Sequence, residues 1–140
     1  MLPNLENRHG SDEGEIDIME HLNSDSIVYQ TVHSYYTLKL GLDYDPPHYA
    51  TANFDPDEYN VFAVERYDDS LVFLVNGQRT FCYPRIVTDK EGQFPFADND
   101  FFLILSAQLG GSWVGPIDES QLPTEMRIDY VRYYKKAEVN

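Results

Sequence analysis

Short runs of aliphatic and aromatic residues recur along this chain, and each is cut off by turn-forming residues before it is long enough for a stable helix. The runs are Glu15 to Glu20, Ser26 to Thr37, Tyr59 to Tyr67, Leu71 to Val75, Gln78 to Tyr83, Phe101 to Leu109 and Met126 to Tyr134. Between them stand Asp43-Tyr44-Asp45-Pro46-Pro47, Asp68-Asp69-Ser70, Asn76-Gly77 and Gly110-Gly111. Asn-Gly favours positive φ at both turn positions, so Asn76-Gly77 predicts a tight hairpin, and with Asp68-Asp69-Ser70 it makes residues 59–83 a meander of three antiparallel strands. Phe101 to Leu109 reads as a buried strand and Met126 to Tyr134 as a closing one, whereas Met1 to Glu13 is polar and reads as a loop. Strands at this spacing predict an all-β fold, a β-sandwich or jelly roll of antiparallel strands.

With 140 residues the chain is of single-domain size. Its formal charge of −14 repels phosphate backbones and anionic lipid heads, so neither nucleic acid nor a membrane surface is an expected partner. Cys82 is the single cysteine and reads as a small hydrophobe on a strand. His9, His21 and His48 have no metal-ligand spacing with one another or with Cys82 and are expected to be exposed. No apolar run reaches the ~20 residues of a membrane span, and no signal peptide is visible in this chain.

The segment Gly14-Glu15-Ile16-Asp17-Ile18-Met19-Glu20 carries the chemistry. Side chains alternate along a strand, so Glu15 and Asp17 share one face while Ile16 and Ile18 pack behind them. Glu20 falls out of phase, and it joins that face only if a β-bulge at Ile18-Met19 absorbs one residue. In so acidic a chain, Glu15 and Asp17 alone fit an exposed strand edge equally well; Glu20 separates the two readings. Three carboxylates on one face repel one another, which points to a catalytic role. A retaining glycoside hydrolase needs one carboxylate as nucleophile and another as acid, then base, about 5–5.5 Å apart. The reading assigns Glu15 as nucleophile, Glu20 as general acid/base and Asp17 as the group between them that orients the nucleophile and shares its proton. Neighbouring negative charges are expected to raise the pKa of Glu20 while Glu15 stays ionised.

This motif resembles the signature of glycoside hydrolase family 16, in the bulged form of its laminarinases, agarases and porphyranases. Further segments agree in order: Gln30-Thr31-Val32-His33, Tyr59 to Glu65 with Val72 to Gly77, Gln108 to Gly115, and Met126 to Tyr134. Arg66 stands where the family usually has Trp. The resemblance covers nearly the whole chain and implies that residues 1–140 are a partial family 16 catalytic domain, about half of a concanavalin-like fold, with N-terminal strands missing. The open edges of such a half are expected to be completed by another chain or to aggregate.

The same resemblance places His33 in the cleft, where it would bind a sugar hydroxyl; a histidine satisfied by neighbouring backbone is equally open. Trp113, in a Gly-rich loop, reads as a stacking platform for a sugar ring. Tyr35 and Tyr36 read as packing residues. Asp129 matches a position that helps hold a structural calcium in family members, but with the ion's other partners outside the chain no metal and no cofactor is expected. The implied function is endo-acting hydrolysis of a β-linked polysaccharide, with laminarin-like β-1,3-glucan favoured. The alternatives are an endo-β-galactosidase acting on agar-, porphyran- or mucin-type glycans, a non-catalytic carbohydrate-binding module, and a truncated inactive fragment. A polysaccharide substrate implies that the full-length protein is secreted, periplasmic or on the cell surface.

Overall fold

The computed structural model of the chain describes residues 1–3 and 14–137. Its regular secondary structure is almost wholly antiparallel strand: β1 (Leu2–Pro3), β2 (Glu15–His21), β3 (Ile27–His33), β4 (Tyr49–Asn53), β5 (Phe62–Arg66), β6 (Ser70–Val75), β7 (Gln78–Pro84) and β8 (Phe101–Phe102). One sheet has the order β2-β3-β4, another β5-β6-β7, and β1 pairs with β8. Residues up to Leu105 form one compact unit and residues from Ser106 onward a second.

In the first unit the two three-stranded sheets bury their apolar faces against each other. Ile16 and Val32 from one sheet, and Leu71, Phe73, Phe81 and Tyr83 from the other, share a core with Phe94 and Phe96. Alternation explains which side chains enter. On β6, Leu71, Phe73 and Val75 are buried while Val72 and Leu74 are half-buried, and on β3, Val28, Gln30 and Val32 point inward. Aromatic rings fix the packing: Phe94 meets Phe96 edge to face at 5.2 Å, and Phe73 lies 5.2 Å from Phe81. This is the layered packing of a β-sandwich. The meander forms as expected, and Asn76 and Gly77 hold φ of 52° and 79°.

Several expected elements differ. The run Ser26 to Thr37 is a strand only over Ile27–His33 and then turns into the short helix α1 (Tyr35–Leu38). Ser34 causes the change: its side chain accepts from Thr37 N, and the Thr37 hydroxyl reciprocates at the Ser34 backbone, a capping box that starts a helix. Strand β4 was not expected at all. Leu2–Pro3, expected in a loop, is a strand, while residues 4–13 of that loop and His9 lie outside the described residues.

Phe101 to Leu109 and Met126 to Tyr134 were expected as strands, the first of them buried. Only Phe101–Phe102 is paired, and Leu105 is 55% exposed. In the second unit Met126, Ile128, Tyr130, Tyr133 and Tyr134 are exposed and no strand forms. A strand exists only when a neighbour takes up its backbone hydrogen bonds, and among the described residues no partner strand is offered to these segments. Cys82 lies on β7, half-buried. No helix among the described residues is long and apolar enough to cross a membrane.

Candidate active site

The acid motif folds as strand β2, and its pairing with β3 sets the direction of every side chain. Glu15 stands opposite His33, Asp17 opposite Thr31 and Glu20 opposite Tyr29. Asp17 to Glu20 is three steps on β2 against two on β3, so the ladder shifts at Ile18-Met19 and β2 carries one extra residue there, as the spacing of the acids required. His33, Thr31 and Tyr29 alternate on β3 and share a face, so Glu15, Asp17 and Glu20 share it too. Ile16 anchors the opposite side at 1% exposure. Gly14 delivers Glu15 to this position: its φ is +120°, and a Cβ there would meet the Phe96 ring at 2.9 Å.

The face is only partly hydrated, and that raises the pKa of Asp17 and of Glu20. Burial raises the Asp17 carboxyl to about 7, helped by the negative charges of Glu15 and then Glu20 and opposed by the Met1 ammonium. Burial, then Glu15, also raises Glu20, against a hydrogen bond from the Thr31 side chain that favours its charged form. The direction for Glu20 is the expected one, but desolvation leads and the neighbouring charges come second. Burial lowers His33 as well, with Glu15 opposing and His48 adding to the depression. His33 Nε2 lies 3.4 Å from Asp17 Oδ2, while its Nδ1 is buried without a hydrogen-bond partner. The arrangement therefore offers a carboxyl, Asp17, that is about half-protonated near neutrality, a second, Glu20, shifted in the same direction, and a largely neutral imidazole next to them.

His33 is thus brought to the acids. Trp113 is not described relative to them: it belongs to the second unit, 57% exposed, in a loop closed by reciprocal hydrogen bonds of 3.0 and 2.8 Å between Gly111 and Gly115. Asp129 is exposed in that same unit, and among the described residues no group of three or more His, Cys, Asp and Glu side chains is placed to hold a metal ion. Tyr36 is buried, its hydroxyl donating to Asp45 O at 3.0 Å, and Tyr35 packs against Gly92.

The face also holds residues that the sequence reading missed. Strand β4 pairs with β3 so that Tyr49 stands opposite Thr31, which turns the Tyr49 ring, 55% exposed, onto the acid face. His48 was expected to be exposed but is half-buried, its Nδ1 3.0 Å from Asp43 O and its ring 6.1 Å from that of His33. His21 is also half-buried, edge-on to Phe54 at 4.9 Å. Tyr29 and Thr31 were readable by alternation once the β2–β3 pairing was assumed. Tyr49 and His48 were not, because nothing marked residues 49–53 as a strand.

Comparison with known proteins bears on what such a face does. The chain is similar to glycan-cleaving enzymes. It is 35% identical over 122 residues, 87% of this chain, to the keratan-sulfate endo-1,4-beta-galactosidase of Sphingobacterium multivorum, of which it covers 28%. It is 33% identical to the beta-glucanase of Rhodothermus marinus, with 99% of this chain aligned to 51% of that protein. Among solved structures, one described under endo-acting O-glycanases that human gut bacteria express to initiate mucin breakdown superposes with a TM-score of 0.69 and 31% identity, over 86% of this chain and 53% of that one. The chain therefore spans about half or less of the length of these curated relatives. No protein-family model matches it.

Proposed function

We propose that the protein bearing this chain is an endo-acting, retaining glycoside hydrolase of family 16 that cleaves a β-linked polysaccharide. The observation that carries the reading is the bulged strand β2, which turns Glu15, Asp17 and Glu20 to one face. Glu15 attacks the anomeric carbon and Glu20 first protonates the leaving oxygen, then activates the water that releases the sugar. Asp17, between them, orients Glu15 and holds a shared proton. His33 and Tyr49 contact the sugar from the neighbouring strands; Trp113, exposed in the second unit, has by itself the ring face that stacks on a sugar.

On substrate, the reading favours β-galactosides of the mucin or keratan type, because two of the similar proteins are named for cleaving such chains or initiating mucin breakdown. β-1,3-Glucan is the second reading, supported by the alignment of nearly the whole chain with a β-glucanase. The relatives are about twice this length or more, and residues 1–140 accordingly act as part of a larger catalytic domain whose remaining cleft walls come from other sequence, in the same protein or in a partner chain. A secreted, periplasmic or cell-surface site of action is part of the same reading, because an extracellular polysaccharide is met only outside the cytoplasm.

The test is incubation of the full-length protein with laminarin, keratan sulfate and mucin O-glycans, with product sizing and proton NMR of the new reducing ends. Internal cleavage of one of them with retained β configuration supports the reading. Inversion, or binding without cleavage, contradicts it.

A further inference from the structure

The sheets of the first unit each carry a bulge, and one buried side chain connects them. On β2 the bulge is at Ile18-Met19. In the other sheet Phe73 opposes Phe81 while Leu74 opposes Arg79, so Thr80 is the extra residue of β7. Gln30, fully buried on the core side of β3, donates from Nε2 to Ile18 O at 3.4 Å and accepts at Oε1 from the Thr80 hydroxyl at 2.6 Å. Phe73 O, in the same bulge, lies 3.1 Å from Thr80 Oγ1 and is a second, longer acceptor for that single hydroxyl proton.

Ile18 is two residues before Glu20, and its carbonyl sits where the strand departs from its ladder. A bulge gives up regular ladder bonds and is free to slip or twist unless something else holds it. Slipping by one residue would turn Glu20 to the core face. A buried amide costs stability unless both its ends are used, and here both ends reach bulges in opposite sheets.

We propose that Gln30 and Thr80 are positioning residues for Glu20, an amide–hydroxyl bridge through the core that clamps the β2 bulge and so sets the direction of the general acid. The proposal rests on the functional reading above, since Glu20 must be the acid for its direction to matter in turnover. An ordinary structural bridge would affect folding alone; a clamp affects the job of Glu20 in particular.

Thr80→Val keeps the shape and removes the hydroxyl, Gln30→Met removes the amide, and Thr80→Ser restores a hydroxyl. In the full-length protein each is assayed on the natural glycan, whose leaving group needs protonation, and on the matching dinitrophenyl glycoside, whose leaving group does not. The first two variants should lose about tenfold or more in kcat/KM on the glycan and less than about threefold in kcat/KM on the aryl glycoside, a parameter that reports the glycosylation step alone, while Thr80→Ser should be close to the parent on both. Equal losses on both substrates, or none, overturn the proposal. Glu20→Ala is the reference: if it does not separate the two substrates, the functional reading itself fails, whatever Gln30 does. A second measurement needs no turnover. In protein carrying 13C-labelled glutamate carboxyls, the Glu20 midpoint should fall toward the ordinary carboxylate range in Thr80→Val, because a loosened bulge lets water reach the carboxyl. An unchanged midpoint in a folded variant overturns the clamp.

Discussion

His33 Nε2 stands 3.4 Å from Asp17 Oδ2, so the central carboxyl of the acid face is flanked from the next strand by an imidazole that burial keeps largely neutral. A neutral ring beside a half-protonated acid shares a proton without adding a fixed positive charge, which leaves the acid's raised pKa in place.

That relationship predicts the effect of removing the ring. His33→Ala should admit water to Asp17, and the Asp17 midpoint, followed by carboxyl 13C NMR, should drop from about 7. Activity should fall about tenfold or more through loss of a sugar contact and of the Asp17 partner. A midpoint that stays in place would show that the ring does not shield Asp17.

Asp17 also makes stability depend on pH in a direction opposite to the usual carboxylate. Its folded value, about 7, lies above the ordinary value of 3.8, so the native state binds the proton more tightly. Its contribution is complete below about pH 4 and is lost as pH rises through 7. Asp17→Asn should therefore raise the melting temperature at pH 8 relative to the parent, by an amount equivalent to about 1–2 kcal/mol after allowance for solvent screening, with a much smaller gain at pH 4. The same substitution should lower turnover. Thermal scans at the two pH values check the sign, and equal shifts at both would contradict it.

Tyr49 is expected to stack on a sugar ring at the rim of the acid face. Tyr49→Ala should raise KM for the glycan about 3–10-fold with little change in kcat, the equivalent of roughly 1 kcal/mol of ring contact. Tyr49→Phe should retain most of the binding, and equal losses in both variants would assign the effect to the hydroxyl instead.

Much of this site was legible because its rules are local. Acids at 15, 17 and 20 share a face only with an inserted residue, and the ladder shifts where that phase argument puts it. The Asn76-Gly77 turn was legible for the same reason: both residues need positive φ and have it. What lay hidden depended on competition or on partners. Val, Tyr and Thr continue through residues 26–37 without a break, yet Ser34 and Thr37 cap one another and end the strand at His33. Tyr49–Asn53 alternates exposed Tyr, Thr and Asn with half-buried Ala, a pattern too weakly apolar to stand out. Phe101 to Leu109 and Met126 to Tyr134 have strand-like composition, but a ladder also needs a neighbour, and composition does not say where the neighbour is. The direction of the Glu20 shift was legible but its leading cause was not, because charge can be read from a sequence, whereas desolvation depends on the packing around Asp17 and Glu20.

The division of labour between Glu15 and Glu20 is the central claim, and azide rescue tests it most directly. In the full-length enzyme, Glu20→Ala with a dinitrophenyl glycoside should still form the Glu15-linked α-intermediate, because that leaving group departs unprotonated, and the intermediate should accumulate for want of a base. Azide needs no deprotonation, so it should restore turnover to this variant and yield the β-glycosyl azide, identified by proton NMR. Glu15→Gln should give no β-azide under the same conditions. A β-azide from the Glu15 variant, or no rescue of the Glu20 variant, would contradict the assignment.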